Sequence, residues 1–187
     1  MKHNWWIWQA ELSDEVIDGI IERCEKYPVE NAIVGGGYGE GVHNKDIRRS
    51  VVRWPNDDSE LKDIIWNYGN DANGSAFGFD IINKFDIQYT TYHSTDKGCY
   101  NWHTDNEFMK EGYYDRKLSV VIQLNDPSDY EGGKFEFDND GEIFSPEGFE
   151  KKGSIIVFPS FLKHRVTNVT KGTRNSLVSW IEGPHFR

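Results

Sequence analysis

At 187 residues the chain is long enough for one domain around a single core and does not require a second. Hydrophobic residues make up 37% and charged residues 28%, an ordinary balance for a water-soluble fold, and no run approaches the ~20 apolar residues of a membrane span. A formal charge of −10 repels phosphate backbones, so nucleic acid is not expected as a partner, and a neutral or cationic substrate is weakly favoured.

The apolar segment Trp5-Trp6-Ile7-Trp8 is too short for a signal-peptide core and no cleavage pattern follows it. Its tryptophans are expected to anchor the core against the first helix. That helix begins at Ser13, a side chain able to cap the first free N–H groups, followed by Asp14 and Glu15 at the positive end of the helix dipole. Val16, Ile17, Ile20, Ile21 and Cys24 give it one apolar stripe, and Pro28 marks its end. The stretch Gly35–Gly41 lacks the Lys-Ser/Thr of a phosphate-binding loop and reads as a mobile connection, a candidate lid. Ile47 to Trp54 reads as one strand stopped by Pro55, with Arg48, Arg49 and Arg53 either lining a cleft or solvating an edge. A second amphipathic helix covers Ser59 to about Ala72, with Leu61, Ile64, Ile65 and Tyr68 on one face.

Beyond Gly74 the texture changes to short runs rich in β-branched and aromatic residues, separated by turn clusters. These runs are Phe85–Tyr92, Tyr100–Asp105, Lys117–Leu124, Gly133–Phe137, Ser154–Phe158, Arg165–Val169 and Asn175–Ile181. Many short strands at such spacing predict a sandwich or jelly roll, mainly β with flanking α-helices. The plan is a single domain over 1–187, with helices in about 13–72 packed on a β core in about 75–182. Cys24 and Cys99 are far apart and outside any Cys-x-x-Cys pattern, which suits reduced thiols in a cytoplasmic protein.

The chemistry starts from His103-Thr104-Asp105. Residues two apart in a strand point to one face, so this imidazole and carboxylate could grip one metal ion. Alone the pair carries little weight, since with six histidines roughly half of one His-x-Asp is expected by chance. His164, beyond the apolar strand and proline Ile155-Ile156-Val157-Phe158-Pro159, adds a third ligand. Two histidines and one carboxylate form the ligand set of non-haem iron oxygenases because they leave coordination positions open. Ten residues on, Arg174 should share one strand face with Ser176, Val178 and Trp180. Its planar fork matches a carboxylate, from a ligand or from one of the chain's 31 acidic residues.

From about Phe85 to Glu182 the chain resembles the prolyl 4-hydroxylase-like branch of the Fe(II)/2-oxoglutarate-dependent dioxygenases. The resemblance rests on "IQYTTY", "YNWHTD", "RKLSVVIQLND", "YEGGKFEF" and "KGSIIVFPSFLKHRVTNVTKGTRNSLVSW", in family order. It implies a double-stranded β-helix, a cupin-like jelly roll. His103, Asp105 and His164 would be the Fe(II) ligands, and Arg174 would bind the distal carboxylate of 2-oxoglutarate. Trp180 resembles an aromatic at the back of the co-substrate pocket, or it is simply a core tryptophan. A tyrosine upstream of His-x-Asp commonly assists the co-substrate, and Tyr92 or Tyr89 could take that part. Alternation pairs Tyr92 with Gln88 and Thr90, and Tyr89 with the more apolar Phe85 and Ile87, which favours Tyr92.

The implied reaction is hydroxylation of a prolyl or related amino-acid residue in a peptide or protein, consuming 2-oxoglutarate and O₂ and releasing succinate and CO₂. Ascorbate would be an accompanying reductant. Asp105 is the carboxylate that halogenating relatives lack, so hydroxylation is expected. The alternatives are the same chemistry on a free small molecule, or a non-catalytic metal-binding jelly roll serving as sensor or scaffold. His93 and Cys99 lie near the expected cleft in sequence and are more simply a loop histidine and a packed thiol.

Overall fold

The computed structural model describes residues 4–34, 42–106 and 114–186. The expected lid, Gly35–Gly41, lies outside the described residues, although its flanks Val34 and Val42 pair with each other through two backbone hydrogen bonds.

In chain order the elements are β1 (Trp6–Trp8), α1 (Asp14–Glu25), β2 (Glu30–Asn31), β3 (Arg48–Arg49), β4 (Val51–Arg53), α2 (Ser59–Ala72) and β5 (Phe85–His93). Then follow β6 (Cys99–His103), β7 (Tyr114–Gln123), β8 (Tyr130–Gly132), β9 (Phe135–Asn139) and β10 (Glu142–Phe144). The last three are β11 (Ile155–Pro159), β12 (His164–Val166) and β13 (Val169–Pro184). A major sheet runs β1-β11-β7-β13-β5-β4-β2, with β8 also paired to β13, and a minor sheet runs β10-β9-β12-β6-β3. All strand pairs are antiparallel. This is the expected jelly roll, two facing sheets with the helices outside the larger one.

The layers follow from residue alternation. Ile17, Ile20 and Cys24 of α1 and Leu61 and Ile65 of α2 pack on Ile87, Leu118, Val120, Ile122, Leu177 and Ile181 of the major sheet. The opposite face of that sheet sends Tyr92, Val121, Ile156 and Phe158 against Phe135, Phe137 and Val166 of the minor sheet. The central strands therefore bury apolar side chains on both faces, as strands covered on both sides do. Ser13 caps α1 as expected, its Oγ accepting from Val16 N at 3.4 Å. Asp58 caps α2 by accepting from Leu61 N at 3.0 Å. Gly69 lets α2 approach β13, because a Cβ at that position would run into Ile181 Cδ1.

Two expectations need correction. The tryptophan segment is a strand, β1, which extends the major sheet beside β11. Alternation then divides it: Trp6 and Trp8 join the helix-side cluster, whereas Trp5 turns to Phe137 and Phe144 of the minor sheet. The single strand expected over Ile47–Trp54 is two. Arg48 and Arg49 pair with β6 of the minor sheet, and Val51–Arg53 pair with β5 of the major sheet. The chain turns between sheets at Ser50, and alternation alone does not reveal such a corner because both halves remain extended.

Candidate metal and co-substrate site

His103 ends β6 and His164 opens β12, and the two are direct cross-strand partners. Their rings lie 4.2 Å apart between centroids. Asp105 follows two residues after His103, where its backbone N–H donates to Ser160 O at 2.8 Å. That bond ties the end of the minor-sheet strand to the chain just past β11. The carboxylate meets His103 Nε2 at 3.5 Å through Oδ1 and His164 Nε2 at 3.5 Å through Oδ2. One ligand atom from each of the three residues lies within 4.8 Å of the others. Ligands bound at about 2.1 Å to one ion, at right angles, stand roughly 3 Å apart, so small side-chain shifts would complete a metal site.

The histidine tautomers suit coordination. His103 Nδ1 lies 2.8 Å from Asn101 O, and His164 Nδ1 lies 2.8 Å from Leu162 O. A carbonyl only accepts, so each Nδ1 carries the hydrogen and the neutral ring keeps its lone pair on Nε2, the atom facing Asp105. Burial pushes the His164 imidazole down to about 4, reinforced by His103 and opposed by Asp105, so it is neutral at ordinary pH. Burial works to raise the Asp105 carboxyl, but His164, His103 and the Ser119 hydroxyl outweigh it and hold the group well below the usual carboxylate range. Asp105 is thus an anion and His164 a neutral lone-pair donor. Ser119 Oγ donates to Asp105 Oδ2 at 2.6 Å and lies 3.0 Å from Ser160 Oγ. Neither serine was singled out by sequence, since a small polar residue in an apolar strand carries no signal of its partner.

Arg174 is the largest of the fully buried side chains, 2% exposed, and no carboxylate of the described residues lies within ion-pair distance of it. Its one hydrogen bond among the described residues, to Ser176 Oγ, is 3.5 Å long. An ordinary salt bridge therefore does not explain it, and an uncompensated buried guanidinium is costly. It borders a cavity of about 340 Å³ lined also by Gln123, Tyr130, Gly133 and Phe135. Gly133, at φ +57°, would place a Cβ 3.0 Å from Arg174 Cδ, so the Gly-Gly turn keeps this wall close to the arginine. An anionic ligand group fits here, and a carboxylate matches the fork.

Tyr92 is the cross-strand partner of Arg174, whose guanidinium carbon lies 5.7 Å from the ring centre. Tyr92 faces the space between the sheets, whereas Tyr89 packs on the helix side. Burial pushes the Tyr92 phenol up against the pull of Arg48 and Arg174, leaving a neutral hydroxyl without a hydrogen-bond partner among the described residues. Trp180 borders a separate cleft of about 530 Å³ that also exposes Thr104 and Asp105. Its buried indole Nε1 has no hydrogen-bond partner among the described residues. Of the three arginines near β3 and β4, Arg48 lines this cleft, while Arg49 and Arg53 bond to backbone carbonyls elsewhere. His93 is exposed and bonds Thr173 Oγ1, and Cys99 is buried, matching their simpler readings. Arg116 and Asn106 also line the cleft, and sequence reading had not singled them out.

A family model described as the 2OG-Fe(II) oxygenase superfamily matches residues 87–182. A "PKHD-type hydroxylase" of Synechococcus sp. (strain CC9311) is 42% identical over 86 residues, a match covering 46% of this chain and 37% of that protein. Another, of Hyphomonas neptunium, is 36% identical over 87 residues, covering 45% of this chain and 38% of its own. The match thus spans little more than a third of the length of these curated relatives. Among solved structures, a Pseudomonas putida prolyl-4-hydroxylase superposes with a TM-score of 0.72 at 20% identity, covering 97% of this chain and 93% of the other. A Trichoplax adhaerens prolyl hydroxylase, in complex with a hypoxia inducible factor peptide fragment, gives 0.75 at 15% identity, covering 95% and 83%. At those identities the likeness is one of fold.

Proposed function

The chain belongs to the 2OG-Fe(II) oxygenase superfamily, and from that premise we propose that it hydroxylates a prolyl or related amino-acid residue of a peptide or protein. The observation that carries this reading is the convergence of His103, Asp105 and His164 within 4.8 Å, with both Nε2 lone pairs facing the carboxylate. The whole chain would act as one oxygenase domain in a cytoplasmic setting, where Cys24 and Cys99 stay reduced. No helix of the described residues is long and apolar enough to cross a membrane.

His103, Asp105 and His164 would hold Fe(II), and Arg174 would take the distal carboxylate of 2-oxoglutarate with Tyr92 donating beside it. Bound iron and keto acid would supply O₂ activation, with release of succinate and CO₂. The protein's own part is binding and orientation. Ser119 and Ser160 fix the Asp105 carboxylate, and the Asn101 and Leu162 carbonyls fix both histidine tautomers. Arg174 borders one cavity and Asp105 another, which suits a co-substrate held at the first and a substrate at the second. A non-catalytic metal scaffold would have no use for a buried Arg174 without an anion.

The test is succinate formation from 2-oxoglutarate by the Fe(II)-loaded protein, with proline-containing peptides and with free amino acids. Substrate-dependent succinate and a product carrying one ¹⁸O from ¹⁸O₂ are expected with at least one peptide. Turnover with free amino acids alone would overturn the peptide substrate and leave the oxygenase chemistry standing. No substrate-dependent succinate, with or without ascorbate, would overturn the enzymatic reading.

A further inference from the structure

The chain's −10 charge suggests that a cationic substrate should be welcome, but the floor of the cleft says otherwise. Arg48 is 9% exposed and has no carboxylate within ion-pair distance among the described residues. Its Nε donates to Ser50 Oγ at 2.9 Å and its Nη2 to Gln88 Oε1 at 2.6 Å, while Gln88 is itself held by Thr90 Oγ1 at 3.1 Å. Its guanidinium carbon lies 4.5 Å from the centre of the Tyr100 ring, and Tyr100 stacks on the ligand candidate His103 at 3.5 Å. The fork is therefore fixed beside the triad, with its Nη1 end lacking an acceptor among the described residues. Arg116, half-buried, lies 4.2 Å over the Trp180 ring and has no carboxylate within ion-pair distance among the described residues. The Trp180 indole N–H and the Asn106 amide are buried without hydrogen-bond partners among the described residues and border the same cleft.

The cleft also contains acids, and their state decides the sign. Glu182 is paired with Lys84 at 2.6 Å, and Asp115 with His185 at 3.0 Å and Lys117 at 3.8 Å. Asp86 and Glu30 are exposed, so water and salt screen them. Asp105 belongs to the triad. Among the described residues, what remains at this cleft without a carboxylate partner is cationic, Arg48 and Arg116, and a charge removed from water gains most from a partner.

We propose that this cleft selects substrates carrying a carboxylate, received by Arg48 and Arg116 beside the His103-Asp105-His164 triad. This narrows the substrate class within the oxygenase reading and rests on it. The carboxylate could belong to a free acyl amino acid or to an acidic side chain flanking the target residue, and the two sources are separable.

Protein loaded with Mn(II) and 2-oxoglutarate, so that Arg174 is already engaged, is titrated by calorimetry with two matched pairs. One pair is N-acetyl-L-proline and its amide. The other is a capped proline pentapeptide with Glu or Gln before the proline. The acid member of at least one pair should bind about ten- to a hundredfold more tightly than its neutral mate. The pair that shows the gap identifies the source. Arg48→Gln and Arg116→Gln should each shrink the gap, with Arg116→Lys restoring part of it. Arg116 is half-exposed, so it carries the test if Arg48→Gln does not fold. Equal affinity within both pairs, no binding by either acid, or variants that weaken acid and amide alike would overturn the proposal. The loading titrations with Mn(II) and 2-oxoglutarate are read first, and their failure would strike the oxygenase reading instead.

Discussion

Ser119 holds Asp105 by a hydroxyl-to-carboxylate bond of 2.6 Å inside the molecule, where such a bond is worth roughly 1.5–3 kcal/mol. Ser119→Ala should leave the chain folded and weaken Mn(II) binding by about ten- to a hundredfold, the usual cost of losing a partner behind a metal ligand. Unchanged affinity, measured by paramagnetic resonance of free Mn(II), would show that the backbone bonds to Ser160 suffice. Arg174→Ala should act elsewhere. Loss of its charge-assisted fork should weaken 2-oxoglutarate binding by about ten- to a hundredfold and spare the metal, because Arg174 is not among the three converging ligands. Calorimetry with 2-oxoglutarate on the Mn(II)-loaded variant checks this, and equal affinity would leave the buried guanidinium without an anionic ligand.

Helix α2 lies on the major sheet through Leu61, Ile65 and Gly69, and two glycines show how contact reverses a propensity. Glycine in a helix interior costs about 0.5–1 kcal/mol relative to alanine. A Cβ at Gly19 of α1 meets nothing within 4 Å, so Gly19→Ala should stabilise by about that amount. A Cβ at Gly69 meets Cδ1 of Ile181, a fully buried side chain of the core. Overpacking costs roughly 1–3 kcal/mol, which exceeds the helix gain, so Gly69→Ala should destabilise. Urea midpoints of the two variants should move in opposite directions, and a shared direction would contradict the close approach of Gly69 to Ile181.

For the whole molecule, proton and metal linkage make separate claims. In the metal-free chain folding holds the His164 imidazole down to about 4, below the ordinary 6.5. Between those values the unfolded state binds the extra proton, so this contribution is intact above about pH 6.5 and is lost as pH falls towards 4. His164→Asn should flatten that part of the profile in chelator, and an identical pH dependence would place the loss on other groups. Metal acts by mass action. At a hundred times its Kd, Mn(II) should add about 2.7 kcal/mol and raise Tm by roughly 5–10 °C, and His164→Ala should abolish most of the rise.

The helices and the strand run were legible in the sequence because their cause is local: the cap at Ser13, a 3.6-residue stripe, and β-branched runs between turns. The candidate ligands were legible because His-x-Asp, the later His164 and Arg174 keep an order that survives in one dimension. Side chains on one strand face were also readable, which is why Tyr92 could be separated from Tyr89. What brings His164 opposite His103 is the pairing of β6 with β12, residues about sixty apart, and no local rule encodes that register. The same holds for Ser119 and Ser160 behind Asp105, and for the corner at Ser50 that carries Arg48 into the minor sheet. Charge shows the difference most directly. Net charge sums every residue, exposed or not, and comes to −10. Only folding decides which charges lose water, and at this cleft it buries a guanidinium while leaving Asp86 and Glu30 in solvent.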